Sequence, residues 1–100
     1  MPIRVFVVDD SAFMRKLITE IINEDPELEV AGYARNGQDA LRKLAKLDVD
    51  VVTLDVEMPI MDGLETLKHI METKPLPVVM LSSETRKGSE TTIQALSLCA

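Results

Sequence analysis

The stretch Ile3-Arg4-Val5-Phe6-Val7-Val8-Asp9-Asp10-Ser11 is a run of β-branched and aromatic residues that stops abruptly on two carboxylates. A second run of the same kind, Asp50-Val51-Val52-Thr53-Leu54-Asp55, ends on a third. Runs of this length and composition read as strands. The almost wholly apolar character of 51–54 is that of a strand covered on both faces, as in a parallel sheet. As neighbouring parallel strands, the two runs bring Asp9, Asp10 and Asp55 together at one sheet edge. Unit charges about 5 Å apart repel by roughly 3 kcal/mol at an effective dielectric near 20, so three anions held together call for a compensating cation. Hard oxygen ligands with positions left open for water and phosphate suit Mg2+.

Outward from these runs, the apolar pattern switches repeatedly between short strand-like segments and helical spacing, which implies alternating β and α elements and a parallel sheet. Phe13, Leu17, Ile18, Ile21 and Ile22 share one helical face before Asp25-Pro26 ends it. Residues 28–33 make the second strand, and Asn36-Gly37 opens a helix carrying Ala40, Leu41, Leu44 and Leu47. A loop over 56–63 follows the third strand. Leu64, Leu67, Ile70 and Met71 form a third helical stripe, 77–81 a fourth strand, and 89–100 a fourth helix with Ile93, Leu96 and Cys99 inward. That last pattern reaches Ala100 without a glycine cap. The expectation is one domain over 1–100, incomplete at its C-terminus, with an open edge on the fourth strand and part of the first helix uncovered.

At 46% hydrophobic and 28% charged, the chain has the material for a real core. Its 17 acidic and 11 basic residues leave a formal charge of -6, which disfavours direct binding to nucleic acid or to an anionic membrane. Cys99 has no partner for an internal disulfide, no basic leader precedes Ile3, and no apolar stretch approaches the roughly 18 residues of a membrane span. A cytoplasmic protein whose partners are proteins or small cations is expected.

Three segments together, Val7-Val8-Asp9-Asp10-Ser11, Leu54-Asp55-Val56-Glu57-Met58-Pro59-Ile60-Met61-Asp62-Gly63 and Pro77-Val78-Val79-Met80-Leu81-Ser82-Ser83, resemble the receiver domain of two-component response regulators. Within that family, the segments beginning at Asp9, Asp55 and Ser82 look most like the regulatory domain of chemotaxis protein-glutamate methylesterases. The resemblance implies an α/β, flavodoxin-like doubly wound parallel sheet of strand order 2-1-3-4, its fifth strand and helix missing from this chain. It implies Asp55 as phosphoacceptor for a chemotaxis histidine kinase, through Mg2+-dependent self-phosphorylation. By the same resemblance Asp9, Asp10, Asp55 and the main-chain carbonyl of Glu57 hold Mg2+, and Ser82 hydrogen-bonds the phosphoryl group and couples it to a loop switch. The other implied partners are a C-terminal methylesterase domain of the same protein and, through it, chemoreceptors. Its family's phosphoryl-contacting lysine, at the end of the fifth strand, has no counterpart here; Lys74 and Lys87 are the nearest lysines to the fourth strand, but loop lysines are usually solvated.

Blander readings exist for each signal. Adjacent aspartates after a strand commonly cap the next helix. Asp62-Gly63 reads as a turn or helix start with a positive φ at Gly63, Asn36-Gly37 as a helix start and nothing more, and His69 as a solvent-facing helical residue. Other functional classes are a receiver of a different regulator, a kinase-docking module that cannot switch, and a phosphatase of another Asp-nucleophile family. Pro59 and the paired acids on a separate strand argue against the last of these.

Overall fold

The computed structural model describes residues 2–56, 58 and 61–81. Its elements are β1 (Ile3–Val8), α1 (Ala12–Asn23), β2 (Leu28–Ala34), α2 (Gly37–Leu44), β3 (Val51–Asp55), α3 (Gly63–Thr73) and β4 (Val78–Leu81). All pairings are parallel, in the order β2-β1-β3-β4. This is the flavodoxin-like arrangement expected above, with the chain reversing its direction of travel across the sheet between β1 and β3. The expected helix over 89–100 lies outside the described residues.

Alternation along the strands sorts the apolar residues into two layers. Phe6, Val8, Val52, Leu54, Val78 and Met80 pack with Ala40 and Leu44 of α2 and Leu67 and Ile70 of α3. On the other face Val5 and Val7 pack with Ile22 of α1, and Ile18, Leu28, Val30 and Val51 are only partly buried. The second layer is thin. Phe13, Leu17 and Ile21, expected on the inward face of the first helix, are 73%, 39% and 58% exposed, and Val79, on the same face of the sheet at β4, is 40% exposed. No helix among the described residues is long and apolar enough to cross a membrane.

Each helix among the described residues starts on a side-chain cap that satisfies an amide the helix cannot pair itself. Ser11 Oγ accepts from Met14 N–H (3.2 Å), Asn36 Oδ1 from Asp39 N–H (2.8 Å) and Asp62 Oδ1 from Glu65 N–H (2.8 Å). Two sequence readings change here. Gly37 does more than begin α2: a Cβ there would meet Thr66 Oγ1 of α3 at 2.1 Å, so the glycine lets the two helices touch. Lys74 is not a solvated loop charge; its Nζ donates to the Leu44 and Leu47 carbonyls (2.9 and 2.7 Å), closing the C-terminal end of α2.

β2 carries an irregularity that sequence alternation missed. Val5 pairs with Val30 but Phe6 with Gly32, so Ala31 is an extra residue on the outer strand. One extra residue flips the faces of everything after it. Tyr33 therefore lies opposite Val7, on the α1 side, and Ala34 opposite Val8, on the core side.

Candidate functional site

Pairing of β1 with β3 sets Val8 opposite Leu54, so the next residues, Asp9 and Asp55, stand side by side at the carboxyl end of the sheet. Asp9 is 5% and Asp55 7% exposed, while Asp10 lies at the surface. One carboxylate oxygen from each of the three lies within 4.8 Å of the others. The convergence expected from the two strand ends is thus present.

The ordinary fate of such aspartates, capping the next helix, falls instead to Ser11. Asp9 is held from several sides. Its N–H donates to the Ala34 carbonyl (3.1 Å), its own carbonyl accepts from Arg15 Nη1 (2.7 Å), and its Oδ1 accepts from Ser11 N–H (2.9 Å). Burial pushes its carboxyl above the ordinary carboxylate value; the Ser11 amide opposes this, Asp10 adds to it, and Arg15 and a side-chain hydrogen bond with Asp55 pull it back.

On the β3 side, the chain after Asp55 folds back so that Gly63 N–H donates to the Val56 carbonyl (2.8 Å). A Cβ at Gly63 would stand 2.3 Å from the Asp55 carbonyl oxygen and 2.7 Å from Val56 Cα. Gly63 is the first residue of α3 and has no left-handed φ, so close approach to the backbone of Asp55, not a positive φ, is what demands glycine there.

The donor set fits a hard divalent cation: it is all oxygen, two carboxylates are anchored in the fold and the third faces solvent, where water or phosphate has access.

Of the other predicted site residues, Glu57, Ser82 and the lysine at 87 lie outside the described residues. Lys74 is committed to the end of α2, away from the acidic cluster. His69 is partly buried rather than solvent-facing and lines a cavity of about 430 Å3 between α2 and α3 with Leu41, Leu44 and Ile70. Arg15 and Tyr33 were not singled out as site residues from sequence. Only the extra residue in β2, which sequence periodicity does not reveal, places them together.

With this fold and this cluster in view, the chain belongs to the response regulator receiver domain family, which it matches over residues 5–100. Within that family its likeness runs to the receivers of chemotaxis methylesterases. It is 61% identical over 99 residues to the protein-glutamate methylesterase/protein-glutamine glutaminase of Symbiobacterium thermophilum, covering 99% of this chain and 27% of that protein. The chain thus spans about a quarter of the length of the curated relatives it matches. The response regulator domain of Thermotoga maritima CheB superposes with a TM-score of 0.88 at 47% identity, covering all of this chain and 75% of that one. A chain from the complex of the CheA3 P1 domain with CheY6 from R. sphaeroides matches with a TM-score of 0.80 at 43% identity, over 99% of this chain and 78% of that one.

Proposed function

We propose that Asp55 accepts a phosphoryl group from a histidine kinase and that the resulting acyl phosphate is the signal carried by this receiver. The observation behind this reading is the meeting of Asp9, Asp10 and Asp55 at the carboxyl ends of β1 and β3. A carboxylate oxygen of Asp55 attacks phosphorus, the new O–P bond replaces the P–N bond of the phosphohistidine, and the imidazole nitrogen leaves with the electron pair. Asp9 and Asp10, with Asp55 and the main-chain carbonyl of Glu57, would hold Mg2+. When bound, the ion supplies positive charge that offsets the build-up of anionic oxygens. The pinned main chain of Asp9 and the close approach of Gly63 to Asp55 keep the carboxylates in place before the donor arrives. Ser82 is the hydroxyl assigned to the incoming phosphoryl group.

The methylesterase/glutaminase relatives support a wider assignment, in which residues 1–100 are the receiver and a C-terminal methylesterase/glutaminase domain is the output; with it goes the proposal of a cytoplasmic chemotaxis regulator that reaches chemoreceptors through that domain. The exposed stripe Phe13, Leu17 and Ile21 on α1 suits docking of the kinase.

Incubating the chain with acetyl phosphate and Mg2+, then measuring intact mass, tests the acceptor. A single phosphoryl adduct is expected on the parent and none on Asp55→Asn or in excess chelator. An adduct of equal yield on Asp55→Asn would overturn the assignment.

A further inference from the structure

The acidic cluster rests on a support that includes neither a metal ligand nor the acceptor. Arg15, in the first turns of α1, donates from Nη1 to the main-chain carbonyl of Asp9 at 2.7 Å, and its guanidinium carbon sits 5.3 Å from the centroid of the Tyr33 ring. The same ring has Lys43 Nζ 5.0 Å from its centroid, and Lys43 also donates to the Tyr33 carbonyl at 2.8 Å and pairs with Asp39 at 3.2 Å. Tyr33 is thus fixed through its main chain by α2 and offers its ring to α1. The extra residue in β2 makes this possible, because without it Tyr33 would point to the α2 side.

We infer that Arg15, seated on Tyr33, is a positioning residue of the acidic site: it locks the Asp9 main chain so that the Asp9 and Asp10 carboxylates meet Asp55 in a spacing one divalent cation can span. This rests on the Mg2+ reading above. A planar guanidinium can stack on the ring while its edge donates to the carbonyl, whereas an ammonium does one or the other well. Residues that orient ligands without touching the metal commonly govern affinity by 10- to 100-fold.

The sign of the effect separates positioning from simple charge. Arg15 is a cation beside a cation site, so electrostatics alone makes its removal tighten Mg2+ binding; loss of positioning weakens it. Mg2+ is titrated calorimetrically into the full chain and into Arg15→Met, Arg15→Lys, Tyr33→Leu, the double variant Arg15→Met/Tyr33→Leu, and Lys16→Met, a charge control exposed on the same helix. Thermal unfolding in chelator is followed in parallel.

The expected result is that Arg15→Met weakens Mg2+ about tenfold and Tyr33→Leu by a smaller factor, with the double variant no weaker than Arg15→Met because both act through one contact. Arg15→Lys recovers part of the loss, and Lys16→Met binds as the parent does or slightly tighter. Mg2+ binding by Arg15→Met equal to or tighter than the parent's overturns the inference. So does weakening in proportion to lost thermal stability across all variants, Lys16→Met included. If the parent itself takes up no Mg2+, the metal reading falls and this inference with it; if the parent binds and Arg15→Met binds equally, the inference falls alone.

Discussion

Asp9 carries the electrostatic tension of the site. Its folded-state pKa stands above the ordinary 3.8, first because it is buried and then because Asp10 is beside it. A raised carboxylate pKa means the folded state holds the proton more tightly than the unfolded chain. The associated stability is therefore complete below the unfolded value near 3.8 and is lost as pH rises through the folded value. At neutral pH the metal-free fold bears the cost of a buried anion among anions. Asp9→Asn should thus stabilise the metal-free chain at pH 7, with the gain shrinking toward pH 4, in denaturant unfolding with chelator. The same change removes a proposed ligand. Mg2+ at about 100 times its Kd stabilises a binding-competent fold by about 2.7 kcal/mol, and little of that should remain in the variant. An Asn variant less stable than the parent at pH 7 in chelator would contradict this account.

At the scale of elements, two helix-start glycines look alike in sequence but have different neighbours. At Gly63 a new methyl group meets main-chain atoms of Asp55 and Val56, which cannot yield without moving the end of β3. At Gly37 it meets the side chains of Thr66 and Met61, which can partly rearrange. Gly63→Ala is expected to cost about 3 kcal/mol and Gly37→Ala about half that. Thr66→Ala removes the nearest obstacle to the second, so Gly37→Ala should cost less in that background than in the parent. Equal costs for the two alanines, or strict additivity of the Gly37 and Thr66 changes, would show that these contacts do not decide. Gly63 also couples stability to function, since the backbone it approaches carries the proposed acceptor.

Over the whole molecule the two layers of the sandwich are unequal. Among the described residues the α2 and α3 face is a continuous core, whereas the α1 face leaves Phe13 and Ile21 largely in water and Val79 partly so. Apolar side chains exposed along α1 favour association or a docked partner, moderated by a net charge of -6. Sedimentation velocity over a concentration series should show reversible self-association that Phe13→Ser reduces. Stability should change by less than about 0.5 kcal/mol, because the ring is 73% exposed and makes little of the core. A parent that stays monomeric and binds no hydrophobic dye at the highest concentration would sink this expectation.

Much of the molecule was legible in the chain itself because its signals are local. Strand-like runs ending on Asp9 and Asp55, helix starts at Asn36-Gly37 and Asp62-Gly63, and the alternation of periods two and 3.6 depend on neighbours in sequence, and they determined the order of elements and the identity of the acidic cluster. What only the tertiary structure decided depends on pairs far apart in the chain. The extra residue at Ala31 is defined by β1, not by β2, and it turns Tyr33 toward Arg15. The burial of Asp9, the Gly37–Thr66 contact and the Lys74 cap on α2 arise where separate elements close on one another. Local periodicity sets which face a residue prefers, but register and packing between distant elements settle what that face meets.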